Sequence, residues 1–401
     1  MFLLLPYDAK TFWEIDRLRN FSTVRRGDMK KALLAIAAWL MFTESAFGEN
    51  NAIIYGVVDS TFEIVRASGA TSPGANASYR QRVSSNSSLI GFKGAEDLGA
   101  GLKALFQIES GLTVDTGSGG VFASRDSFVG LEGSFGTFKL GFLTAPMRGL
   151  GGKLNFIPGS TSIANNIGIM TNLNGRALGF NSRMQNATMY TTPNWSGFSA
   201  SFAYGANEGK VGSKNDPTYG LGINFDNGRL LVGYAYEERK DKEVYATAPG
   251  KDSNHRLAIQ YAINNTRFGI GYDREKSQGT FASSSEGSAA RNAVSASVIH
   301  KITAHEFILH YARARRLTCT GSADTGECAV SNVGNTGATQ WSLAYHYLFS
   351  KQTFLEAYVT RIKNDAQAKY EFDVNPVVST LASRAAGADP TGVGIGVRYT
   401  F

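Results

Sequence analysis

From residue 52 to its end, the chain repeats segments of about ten residues in which apolar side chains alternate with small or polar ones. A period of two marks strands with two unlike faces. In residues 256–263 one parity is Leu257, Ile259, Tyr261 and Ile263, and the other is Arg256, Ala258, Gln260 and Ala262. Residues 340–347 split the same way. Sixteen such segments can be marked, at 52–66, 83–94, 101–111, 121–131, 136–144, 184–193, 196–206, 217–225, 228–239, 254–263, 266–275, 291–301, 304–316, 338–348, 353–363 and 391–401. Their connections alternate strictly between short turns, such as 132–135, 226–227, 264–265 and 302–303, and long stretches, such as 67–82, 145–183, 317–337 and 364–390. A water-soluble sandwich has no reason for that asymmetry, whereas a transmembrane barrel has tight turns at one rim and long loops at the other. The expected fold is an all-β, 16-stranded antiparallel transmembrane β-barrel.

Hydrocarbon offers the backbone no hydrogen-bond partner, so a spanning sheet must close on itself. The last segment must therefore pair with the first, and nothing follows Phe401 to obstruct it. Sixteen strands enclose an interior too wide for side chains to fill, which leaves an aqueous lumen. Composition agrees. Glycine numbers 45 of 401 residues, a load few helices tolerate, and no apolar run approaches the roughly 20 residues of a membrane helix.

The segment before the barrel reads as an export signal. Met29-Lys30-Lys31 precede an uncharged apolar stretch, 32–42, and then Ser45-Ala46-Phe47-Gly48, which puts small residues where a signal peptidase requires them. Residues 29–48 are expected to be a signal peptide, 1–28 an extension upstream of the natural start, and 49–401 the barrel. Removing 1–48 takes away seven basic and five acidic side chains and leaves a net charge of +5, spread over all the segments rather than gathered in one stripe. No nucleic-acid partner is expected.

Residues 91–109, GFKGAEDLGAGLKALFQIE, closely resemble the second hairpin of the trimeric Gram-negative general porins of the beta-proteobacterial type. Residues 54–59, 124–131, 133–141 and 190–199 and the terminal Phe401 extend the resemblance over both ends and most of the first half of the exported chain. It implies an outer-membrane homotrimer with three separate pores, each narrowed by an inward-folded third loop. It also implies that Phe401 is the signal read by the barrel-assembly machinery. The partners so implied are outer-membrane lipid, other copies of the chain, and the small ions and hydrophilic solutes that pass.

The residues single out that third loop independently. At 39 residues, 145–183 is the longest connection, and it carries Arg148, Lys153, Arg176 and Arg183 without one Asp or Glu. Inside a low-dielectric lumen, four cations would focus a field that favours small anions. The competing expectation is that they face bulk water or pair with wall acids such as Glu109 or Asp59. Two positions where the family commonly places constriction arginines hold Leu89 and Phe142 instead. By parity Arg125, Lys103, Lys93, Arg256, Arg267 and Arg398 face the lumen, and Ile90, Phe92, Phe106 and Tyr261 face lipid.

Cys319 and Cys328 share one long external loop in an exported chain, which favours a disulfide between them. The five histidines show no metal-ligand spacing, and no nucleophile-base pair or carboxylate pair can be argued. Neither cofactor nor chemistry is expected. The reading is a passive, mildly anion-preferring channel for small hydrophilic solutes. Its alternatives are a channel preferring an organic anion or phosphate, or less favoured, an outer-membrane adhesin.

Overall fold

The computed structural model describes residues 51–401 apart from 119, 209, 211–215, 241–249, 281–285, 322–327 and 329–332. The export signal expected at 29–48 and the extension expected at 1–28 lie outside the described residues. One antiparallel sheet runs through β1 (Asn51–Ser68), β2 (Ala77–Ser85), β3 (Leu89–Gly99), β4 (Leu102–Gly111), β5 (Ser127–Gly133) and β6 (Gly136–Thr144). The third connection then contains α1 (Pro146–Lys153), α2 (Ile167–Thr171) and a small ladder of β7 (Asn172–Leu173) and β8 (Arg176–Ala177). The wall resumes with β9 (Arg183–Thr191), β10 (Phe198–Gly205), β11 (Thr218–Asp226), β12 (Leu230–Lys240), β13 (Lys251–Ile263) and β14 (Thr266–Thr280). It finishes with β15 (Glu286–Ile302), β16 (His305–Ala314), β17 (Thr318–Gly321), β18 (Ala338–Leu348), β19 (Thr353–Asn364) and β20 (Asp389–Thr400).

Two of these pairs are halves of single wall strands. β1 pairs with β3 from Asn51 to Val57 and with β2 from Ser60 onward, and β15 pairs with both β16 and β17. The wall therefore has sixteen strands. β20 pairs with β1 over twelve rungs, Val57↔Thr400 to Ser68↔Asp389, so the sheet closes as the backbone demands. Reciprocal bonds between Gly56 and Phe401 complete the seam.

Departures from the expected segments have local causes. The second wall strand starts at Ala77, not 83, and breaks at 86–88, where Ser87 adopts a positive φ of 59° and the Asn86 amide turns to Asp59 and Thr61. The fourth starts at Ser127 rather than 121, because Ala123 also adopts a positive φ and the Arg125 amide donates to the Glu109 carbonyl outside the regular ladder. β14 and β15 run beyond their expected ends into one long hairpin. The two helices were not foreseen. α1 is glycine-rich and weakly helical by propensity, and what holds it is burial of Met147 and Leu150 against the wall.

Parity sorts the two faces. On β14, Phe268 and Ile270 are 46% and 60% exposed, while Asp273 and Glu275 between the outward positions are fully buried inside. β20 repeats the split, with Val393, Ile395, Val397 and Tyr399 outward. Its inner glycines make room for other side chains: a Cβ on Gly394 would strike the Tyr358 ring, and one on Gly396 would meet Thr61. Aromatics such as Phe135, Trp195, Phe198 and Phe349 stand exposed at the short-turn rim, as an interfacial girdle does. Ile270→Lys is expected to destabilise the barrel in a bilayer by about 2–4 kcal/mol, the cost of a cation on a lipid face. Denaturant titration in phospholipid vesicles measures this, and an unchanged midpoint would remove Ile270 from that face.

Candidate functional site: the lumen and its folded-in loop

The third connection lies inside the barrel. From the end of β6, Pro146 passes over Gly220 and Gly222 on β11, and Leu150 fills the space above Gly233 on β12. The Arg256 guanidinium on β13 donates to the Met147 carbonyl at 2.9 Å. Leu154 and Phe156 then cover Gly271 and Gly269 on β14, and the Phe156 amide donates to Nε2 of His310 on β16 at 3.3 Å. Thr161 reaches Ser85 and Ser87 at the break in the second wall strand. The Gln340 amide on β18 donates to the carbonyls of Ile163 and Asn165 at 3.2 and 3.0 Å. The return path is tied by Arg291 to the Asn172 carbonyl, by Tyr370 to the Asn174 amide, and by Arg239 to Gly179 and Ser182. The loop thus follows the inner wall from β11 past β20 to the break between β2 and β3, and leaves the inner faces of β4–β6 uncovered.

Buried charges on the covered wall serve as the loop's clamps. Arg256 is 3% exposed and forks onto Asp273 at 2.8 and 2.5 Å, and Arg291 is paired with Glu275 at 3.0 Å. Each guanidinium keeps one donor for a loop carbonyl. A buried carboxylate thereby holds an arginine in place, and the arginine holds the loop.

The four loop cations do not act as one group. Lys153 bonds Asp226 at 3.0 Å near the short-turn rim. Arg183, the first residue of β9, bonds Asp126 at 2.6 Å. Arg148 on α1 donates to the Asn181 carbonyl and, at 3.5 Å, to Ser160. Arg176 sits half-buried in β8. The wall acids proposed as their partners are engaged elsewhere: Glu109 takes Arg125 at 3.3 Å and Tyr55 at 2.8 Å, and Asp59 takes Arg398 at 2.7 Å.

What the structure assembles is a different cluster. Arg125, Arg148 and Arg183 converge, and the pKa of Arg148 is pushed down to about 10 by burial and then by the like charges of Arg183 and Arg125. Arg148 remains charged at neutral pH. Burial would raise the Asp126 carboxyl, but the Arg183 charge and hydrogen bond hold it below its ordinary value, so it too stays ionised. Three cations face Glu109 and Asp126, an excess of one positive charge. Lys139, seated over the Phe128 ring at 4.2 Å, and Lys93, over Tyr55 at 4.8 Å, extend the basic inner face of β3–β6. Lys103 stands on that face opposite Asp97. Leu89 is buried on the inner wall, while Phe142 lines a recess of about 510 Å³ together with Arg183 and Arg239.

Asp126 and Lys139 were not singled out from the sequence. Both lie in segments that resemble the family, but strand parity fails at Asp126, which precedes the ladder. Cys319, on β17, and Cys328 are disulfide-bonded with Cα atoms 6.1 Å apart, at the long-loop rim. Among the described residues, no group of His, Cys, Asp and Glu could hold a metal ion.

The sequence model described as Gram-negative porin matches residues 32–367. Major outer membrane protein P.IB of Neisseria gonorrhoeae is 35% identical over 150 residues, 37% of this chain and 40% of the relative. Major outer membrane protein P.IA of Neisseria meningitidis serogroup C is 28% identical over 193 residues, 42% of this chain and 47% of the relative. The chain thus spans less than half the length of these two relatives. Among solved structures, an anion-selective porin from Comamonas acidovorans is similar with a TM-score of 0.66 at 23% identity, covering 88% of this chain and 100% of that one. The trimer form of OmpT from Vibrio cholerae has a TM-score of 0.63 at 16% identity, covering 88% and 99%.

Proposed function

Because the chain belongs to the Gram-negative porin family, we propose that it forms a water-filled outer-membrane channel through which small hydrophilic solutes and ions diffuse passively, with a mild preference for anions. The observation that carries this is the third loop lying inside a closed sixteen-strand wall and confining passage to the side of the arginine cluster. A wide polar lumen supplies the water path, and the loop narrows it. Selectivity then follows from size and from the one excess positive charge of Arg125, Arg148 and Arg183 over Glu109 and Asp126, in a region where low-dielectric walls sharpen the field. No group here needs to change its bonding, so no step beyond transient ion pairing is required.

The chain is exported through the signal at 29–48 and assembles as a homotrimer, a reading supported by the trimer form of its Vibrio cholerae structural neighbour. Phe401, whose ring covers Gly56 at the seam and whose backbone closes the last rung, is the residue the assembly machinery reads. Refolded protein added to a planar bilayer is expected to give stepwise, ohmic conductance, with a reversal potential under a KCl gradient on the chloride side. Correctly folded protein that conducts nothing would refute the channel.

A further inference from the structure

The inner wall from β4 to β10 carries an apolar band across an otherwise polar water path. One inward rung of the ladder joins Gln107 on β4, Phe128 on β5, Gly141 on β6, Ala187 on β9 and Gly205 on β10. The next inward rung toward the short turns joins Leu105, Gly130, Lys139, Met189 and Ala203. Neither rung holds an Asp or Glu, and Gln107 and Lys139 supply their only polar side chains. Their facing follows from the alternate residues of the same strands, since Val129, Leu131, Phe138 and Leu140 are exposed on the outer face. Below the band the wall turns polar again, with Lys103, Glu132, Thr137, Thr191 and Ser201 on one rung. Above it lies the cluster of Arg125, Arg148 and Arg183 with Glu109 and Asp126.

Part of the band is packed away and part is open. Ala187 and Ala203 are buried with Leu143, Ala145 and Met184, and Phe128 and Met189 pack against that group while staying partly exposed, as Leu105 does. Two glycines seat the ring and its neighbour: a Cβ on Gly141 would meet the Phe128 Cα and Cβ, and one on Gly130 would meet the stem of Lys139. The Lys139 ammonium thereby rests 4.2 Å from the centre of the Phe128 ring. In the cluster above, Arg125 takes Glu109 and Arg183 takes Asp126. Arg148 donates to the Asn181 carbonyl and to Ser160, and among the described residues it forms no ion pair. At 3.3 Å per residue, about 7 Å of chain separates Asp126 from Phe128. An inorganic ion gains nothing from apolar side chains beside a narrowing, since they displace water that would solvate it. A permeant with apolar surface of its own gains by burying it there.

We propose that Arg148 and the apolar band form a transient binding site for monocyclic aromatic carboxylates, with the carboxylate on the Arg148 guanidinium and the ring against Phe128 and Met189. A guanidinium fork matches a carboxylate. Three contacts favour an aromatic ring over an alkyl group of the same size. The Phe128 ring offers an offset or edge contact, the Met189 thioether is attracted to ring edges, and the Lys139 ammonium is drawn to an aromatic face. The order of the rungs fixes the orientation, carboxylate toward the long-loop rim and ring toward the short turns. The inference rests on the channel reading and names the class of solute that its narrowing favours.

The test is block of the chloride current of single channels in a planar bilayer by benzoate, with cyclohexanecarboxylate and acetate as comparison anions. In wild type, benzoate is expected to halve the current at a concentration about fivefold below that of cyclohexanecarboxylate, the value of the ring contacts, and about twentyfold below that of acetate, which has almost no apolar surface to bury. Phe128→Leu keeps the packing against Leu143 and Met184 and removes only the ring, so it is expected to bring benzoate level with cyclohexanecarboxylate. Phe128→Ser is expected to raise the half-blocking concentration of benzoate about tenfold and to move that of acetate little. Arg148→Ser is expected to weaken block by all three anions alike. Equal block of wild type by benzoate and acetate would overturn the proposal, and so would equal block by benzoate and cyclohexanecarboxylate. Wild-type benzoate block in Phe128→Leu would overturn it too, even if the serine variant failed to fold. Failure of the channel reading is separate, since it appears as missing chloride current in wild type.

Discussion

Replacing Arg125, Arg148 and Arg183 with serine is expected to move the reversal potential under a KCl gradient from the chloride side to the potassium side. The three cations hold Glu109 and Asp126 in their field. Without them two carboxylates remain at the narrowing, so the local charge passes from an excess of one positive to two negative. A single unit charge a few ångströms from a permeating ion is worth about 1 kcal/mol in water and several times that near protein. A change of one to two kcal/mol alters the chloride-to-potassium permeability ratio about five- to thirtyfold. Arg148→Ser alone removes the excess charge and should abolish most of the preference without reversing it. Lys153→Gln should leave selectivity nearly unchanged, because that ammonium is half-exposed and already bonded to Asp226. A triple variant with the wild-type reversal potential would place the cluster outside the path of the ions.

Arg256→Ala is expected to release the first half of the third loop. The guanidinium is buried, bonds both oxygens of Asp273, and holds the Met147 carbonyl. Removing it leaves Asp273 as an uncompensated buried charge, which typically costs about 3–5 kcal/mol. The midpoint of heat-induced conversion to the unfolded band on unheated gels should fall. Single-channel traces should become noisier and reach higher unitary conductance, because α1 loses the bond that ties it to β13. Arg256→Lys keeps the charge but not the fork and should fall between. An Ala variant with wild-type midpoint and quiet, unaltered conductance would show that apolar packing of Met147 and Leu150 holds the loop without the clamp.

Much of this was readable in order of residues. Strand existence, number and facing follow from a period of two that only a wall between lipid and water produces, and Tyr261 and Phe106 face outward where parity puts them. The breaks were not readable. Ser87 and Ala123 interrupt their strands with positive φ values for which neither carries a glycine's permissiveness, and the interruption depends on Asn86 and Glu109 finding partners elsewhere in the barrel. The helices α1 and α2 were equally hidden, since their stability comes from the wall they lie on.

The candidate site divides along the same line. The one-sided charge of the third loop is a fact of sequence, and so is its length. Its meaning changed on folding, because each cation met partners from strands far away in the chain: Arg183 met Asp126, Lys153 met Asp226, and Arg148 came to rest beside Arg125. The sequence by itself determined that a closed, two-faced, water-filled barrel would form, since backbone hydrogen bonds in hydrocarbon admit no other sheet. Only the tertiary structure decided which charges remain uncompensated inside it, since that is a sum over pairs that exist only once the strands are in register.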